Sequence, residues 1–373
     1  MSAPGQAVQN GPVAIQRGGW LDLLRFVAAF LIILYHYQFA APVESTAFPA
    51  VFQRGYLVTD FFLIDSGYVL GRVYADRVLN GRMSPFDFFK KRALRVVPLH
   101  LMVLFGLVAM VVAAEAIGVF PLHPAWFDWK ELPAEVLLIQ SYGVPGGHGW
   151  NTPTWSLSAL LGCYLLFPLL VRPFRRLSGW AALVLGATLF GAANLAALSL
   201  TGYAVYWMPL SMGFARALPL FFLGLALARF SETVAIPERA ARILGVAAVI
   251  ALAAIQAIGD HSLLSLALIA FIILAAAAIP TRKRSPFVER AALVSFSMYV
   301  TNEVFRIAWF GAVRQLGERL PLPAAAQWSL WAIGIAVAIG FAFAVYALVD
   351  APSQRWLNAW ADRGRRKSGL ALA

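Results

Sequence analysis

Charge is scarce in this chain. Asp, Glu, Lys and Arg make up only 13% of its 373 residues while hydrophobic residues make up 61%, and the mean hydropathy is +0.73. A soluble globular domain of ordinary composition is thereby excluded. Cysteine is all but missing: with Cys163 alone there is no intramolecular disulfide and no thiolate metal cluster. Histidine is sparse, and His123 and His148, expected to be exposed in one loop, lack metal-ligand spacing, so no metal is expected. No small-residue cleavage site follows the first apolar segment, which is therefore expected to be retained. No internal repeat is visible, which weakens an inverted-repeat transporter reading.

What the chain has instead is long apolar runs. Stretches long enough to cross about 30 Å of hydrocarbon fall near 20–40, 56–71, 96–119, 154–171, 180–200, 211–229, 243–259, 262–280, 291–310 and 327–349. The expected fold is an all-α integral membrane protein of about ten transmembrane helices. A short apolar piece at 132–142, too short to span, is read as an additional re-entrant or interfacial helix. The net charge of +12 follows the membrane rather than a nucleic acid. Most basic residues fall at Arg17, 72–95, 172–176, 229–242, 282–290 and beyond Arg355, on one side if the ends alternate, whereas Arg54, Lys130, Arg314 and Arg319 fall on the other. The bias predicts both termini cytoplasmic. The organisation expected is a leader at 1–19, a transmembrane domain at 20–352 and a basic tail at 353–373.

Arg25 and His36 lie eleven residues apart in the first apolar segment. On a helix they share one face, separated by roughly 16 Å. Ionisable groups inside a membrane normally face protein or water and are functional candidates. A core histidine satisfied by a neighbouring helix is the competing reading of His36. Arg92 and Arg95 share a face at i, i+3, after a helix start at Ser84, Pro85 and Asp87; they suit a phosphate-bearing ligand or, equally, positive-inside anchoring. Asp65 could neutralise a neighbouring arginine, orient a polar group or face a cavity. Trp126, Trp129, Trp150 and Trp155 suit either sugar stacking or membrane anchoring.

Four patterns in order, LDLLRFVAAFLIILYH with Arg25 and His36, DFFLIDSGYVL with Asp60, Ser66 and Gly67, FFKKRALRVVPLH with Arg92, Arg95 and Pro98, and TWSLSALLGCYLLFP with Trp155, Ser156, Tyr164 and Pro168, resemble membrane-bound acyltransferase family 3. SFSMYVTN and the DAP at 350–352 are similar to its later signatures. The resemblance implies transfer of an acyl group, acetyl being expected, from cytosolic acyl-CoA to a hydroxyl of an extracytoplasmic glycan, in a multi-pass protein of a bacterial inner membrane. The implied partners are membrane lipid, acetyl-CoA or another acyl-CoA as donor, and a glycan or lipid-linked sugar as acceptor, with no nucleic acid. His36 would be the catalytic base. Arg25, Arg92 and Arg95 would hold the donor's phosphates, with Ser66 and Gly67 as further donor contacts. Asp65, Trp155, Ser156, Tyr164, Asn302 and Glu303 are the candidates for the acceptor side. The chain departs from the family pattern where Leu160 replaces a frequent glutamate and Asn302 a frequent histidine; Glu303 is expected to point about 100° away from Asn302. A secondary transporter or flippase, lined by Arg25, Arg216, Arg306 and Asp65, and a non-catalytic partner of polysaccharide machinery are the alternatives.

Overall fold

The computed structural model describes residues 17–119, 123–146, 149–259 and 262–367. Most of the leader, the last residues of the tail and His148 lie outside these. Among the described residues every regular element is a helix. The long helices are α1 Trp20–Tyr37, α2 Leu57–Leu79, α3 Pro85–Ala116, α5 Trp155–Arg175, α6 Gly179–Thr201, α7 Gly213–Thr233, α8 Glu238–Ile258, α9 Ser262–Ala278, α10 Pro286–Arg319, α11 Ala324–Val345 and α12 Ala351–Lys367, with a short α4 at Leu132–Val136. Every predicted span coincides with one of them. Seven segments are long and apolar enough to cross a membrane, including α1, α3 and the combined α11–α12 segment Ala324–Trp360.

Local chemistry sets the helix starts. Ser84 Oγ accepts from the Asp87 amide at 3.0 Å ahead of Pro85, and Ser178 and Ser285 cap α6 and α10 in the same way. Such caps satisfy amides that have no partner within the helix. The apolar piece after Glu131 is shorter than expected, because α4 ends at Val136. Leu138 turns left-handed at φ +52, and Ile139 N donates to Ala134 O at 2.9 Å, which closes the helix in a Schellman-like turn.

α2 is the central helix, buried over most of its length. It crosses α7 at a pair of glycines. A Cβ on Gly67 would come within 2.3 Å of Phe221 O, and one on Gly224 within 2.1 Å of Ile64 O. The approach that Gly67 permits is therefore that of another backbone. Between the same helices the Arg216 guanidinium donates twice to Asp60 at 2.9 Å, both side chains almost fully buried. A second core joins Ala29, Ile33 and Tyr37 of α1 to Val294 and Met298 of α10 and Ala338 and Ala342 of α11. Side chains such as Val184, Leu195, Val246 and Ile250 are exposed, as a surface solvated by lipid requires. The short links at 80–84, 176–178 and 234–237 gather the ends of α2, α3, α5, α6, α7 and α8 at one arginine-rich end, where Arg175 of α5 bonds both Asp76 of α2 and Glu232 of α7.

Candidate functional site

His36 lies in the last turn of α1 and is partly exposed. Its Nδ1 is 2.6 Å from Asn302 Oδ1 on α10. Asn302 Nδ2 donates to Tyr299 O at 2.6 Å and Met298 O at 3.3 Å, which fixes the amide so that its oxygen faces the imidazole. Nδ1 must then carry the proton, and Nε2 keeps its lone pair. Tyr37 donates to Asn302 O at 3.1 Å, locking the same turn of α10 to α1. Glu303 Oε2 lies 3.9 Å from His36 Nδ1, so Glu303 and Asn302 both reach the ring despite their 100° offset. Glu303 in turn accepts from Arg306 at 2.8 and 2.6 Å.

Three turns along α1, Arg25 is held by two carboxylates. Its Nε and Nη2 donate to Asp65 at 2.8 and 3.2 Å, and its Nη1 to Asp22 at 2.7 Å. Of the three readings open for Asp65, neutralising a neighbouring arginine is the one the geometry displays. Asp22, which also accepts from the Gly18 amide at 2.7 Å, was not singled out in the sequence, although its i, i+3 spacing to Arg25 was the available signal. Arg95 donates to both oxygens of Asp350 at 2.7 and 2.9 Å and lies over the Phe296 ring. Asp350 ends a π-helical stretch, Tyr346–Asp350, that joins α11 to α12; its place inside the DAP signature marked it without giving it a role. Arg92 differs. Its guanidinium sits 5.2 Å over the Tyr164 ring, its Nε is buried without a hydrogen-bond partner, and no described carboxylate lies within 4.0 Å.

The other candidate residues are drawn into structure rather than into the His36 cluster. Ser156 and the Tyr299 hydroxyl are 2.8 Å apart, and both bond Pro153 O. Trp155 is buried under the Arg216 guanidinium at 5.2 Å, and Trp150 is buried with Nε1 donating to Asp128 O at 2.9 Å. Leu160 lies in the apolar core, so α5 supplies no carboxylate there. Ser66 is only partly buried. His123 stacks on Trp126 at 4.4 Å. Among the described residues no group of three or more acidic, His or Cys side chains could hold a metal ion. Arg25, Arg216 and Arg306, the intramembrane charges on which transport would draw, are each matched by a carboxylate.

Within α4, Glu135 is buried opposite the arginine-rich end. It accepts from Thr154 Oγ1 and Gln140 Nε2 at 3.1 Å, and burial pushes its carboxyl up to about 7, a shift the Thr154 bond partly opposes.

The profile of the acyltransferase domain family to which the motifs pointed matches residues 19–347. A curated relative, acyltransferase MdmB of Streptomyces mycarofaciens, is 32% identical over 190 residues, covering 48% of this chain and 46% of the relative. The chain thus matches about half the length of that relative. No solved structure matches the chain.

Proposed function

We propose that this chain, which belongs to the membrane-bound acyltransferase family 3 across residues 19–347, carries an acetyl group from cytosolic acetyl-CoA to a hydroxyl of an extracytoplasmic glycan. The observation that carries the proposal is the bond from His36 Nδ1 to Asn302 Oδ1. It leaves Nε2 as a proton acceptor on a partly exposed ring. In the reaction, Nε2 takes the proton of the attacking hydroxyl as its oxygen adds to the thioester carbonyl. Collapse of the tetrahedral adduct expels the CoA thiolate, which recovers the proton from the imidazolium. Glu303, 3.9 Å from Nδ1, favours the transient cation.

On the donor side the reading narrows to Arg92. Arg25 and Arg95 already face carboxylates, so either would have to exchange a partner to hold a phosphate, whereas Arg92 has none to give up. With the arginine-rich end inside a bacterial inner membrane, the donor enters from that end, the acceptor approaches from the other, and only the acyl group crosses. The test is a glycan analysis of cells producing wild-type or His36→Ala protein. Base-labile acetyl esters on surface glycan in the wild type but not in the variant are the expected result; equal esterification in both would end the proposal.

A further inference from the structure

At the arginine-rich end, α2, α5 and α7 line an open cleft of about 640 Å³ whose charged walls are Arg72, Asp76, Arg77, Arg175, Arg229 and Glu232. Four cations face two anions there. Glu232 is shared among three guanidiniums: Arg175 hydrogen-bonds it, and Nη1 of Arg229 and of Arg72 lie 3.5 and 3.6 Å from it. A carboxylate is geometrically matched to one guanidinium fork, so this grouping holds like charges together without full compensation. The Arg72 side chain is only 9% exposed, so it stands at the buried side of this grouping. The second anion, Asp76, bonds Arg175 but its side chain is 63% exposed and therefore largely screened. Arg77 lies over the Tyr74 ring and has no described carboxylate within 4.0 Å.

We propose that this cleft binds a phosphate-bearing group. Guanidinium forks pair bidentately with phosphate, and the net wall charge of two positive units complements a phosphomonoester. The ligand is either the nucleotide portion of a soluble cofactor or the headgroup of an anionic phospholipid, which share this chemistry. Arg72 is seven residues along α2 from Asp65, about 10 Å away. The site is thus distinct from the Arg25 pair and does not depend on the assignment of Arg92.

The full-length chain in phosphatidylcholine nanodiscs is titrated with adenosine 3′,5′-bisphosphate by calorimetry, and the chain from nanodiscs containing phosphatidylglycerol is examined for retained lipid by native mass spectrometry. Arg72→Gln is expected to weaken binding by roughly tenfold or more, as the loss of a charged hydrogen bond does. Arg77→Gln should weaken it roughly two- to fivefold, and Asp76→Asn should tighten it by a similar factor. Residues 76 and 77 are exposed, so these two variants keep the reading open to disproof if Arg72→Gln does not fold. Sensitivity of nucleotide binding upholds a soluble ligand, and sensitivity of lipid retention upholds a headgroup. A wild type that binds neither probe, or an affinity indifferent to all three variants, overturns the proposal. A wild type that binds phosphate here yet transfers no acetyl group contradicts the proposed reaction alone.

Discussion

At the scale of single residues, the contrast among the arginines decides what substitutions do. Arg25 satisfies Asp65 and Asp22, so Arg25→Gln strands a buried carboxylate. A loss of about 3–5 kcal/mol in stability is expected, read as a lowered thermal midpoint in detergent, and replacing Asp65 with Asn in the same chain should recover part of it. Arg92→Gln has no such partner to strand. Its expected effect is a weaker Kd for acetyl-CoA, of order tenfold, with the thermal midpoint unchanged. Asn302 acts on the reaction through His36 as a positioning residue. Asn302→Leu removes the bond that selects the tautomer and should lower kcat by about ten- to a hundredfold while leaving acetyl-CoA affinity intact. Asn302→Asp should restore the rate and move the acidic limb of the pH–rate profile to higher pH, because a carboxylate at that place favours the imidazolium. A pH profile unmoved by Asn302→Asp would remove Asn302 from the mechanism.

Among the elements, the α2–α7 crossing and the α4 turn respond to different stresses. Gly224→Val would drive a side chain into Ile64 O and the Tyr68 amide; since neither backbone can yield cheaply, the variant is expected to fail to accumulate in the membrane, measured against a volume-tolerant control such as Gly340→Ala, which meets open space. Glu135 sets a pH dependence. Its folded carboxyl titrates near 7, above the ordinary 4.5, so its contribution is complete below about pH 4.5 and is lost as pH rises through 7. Glu135→Gln should therefore raise the thermal midpoint at pH 8 relative to the wild type and make little difference at pH 5. The apolar runs made most of the long helices readable, because seven segments have the length and composition that a span of hydrocarbon demands. The end of α4 was not readable, because it depends on Leu138 adopting a left-handed turn inside a packed loop, which no local signal in a leucine announces.

Over the whole molecule, orientation and catalysis are linked. Reporter fusions after residues 80 and 284 should report the cytoplasm and a fusion after 146 the outside, as the distribution of basic residues requires; the reverse pattern would put the donor end on the wrong side. The candidate site was half legible for a physical reason. Arg25 and His36 stand in one helix, where spacing alone fixes their relation, and the family motifs gave the rest of the expectation. The partners that define their chemistry, Asn302 to His36, Asp65 to Arg25 and Asp350 to Arg95, are 266, 40 and 255 residues away in the chain, so packing rather than periodicity unites them. The arginine cleft was hidden for the same reason: its walls come from α2, α5 and α7, each of whose basic residues reads in isolation as an anchor.

The central claim, acyl transfer with His36 as base, is met most directly by supplying the purified chain in lipid nanodiscs with acetyl-CoA labelled in the acetyl group and a surface-glycan extract, alongside His36→Ala. Label appearing on glycan with the wild type, and falling to background with a variant that still binds acetyl-CoA, is the predicted result. Equal transfer by both proteins would contradict the account.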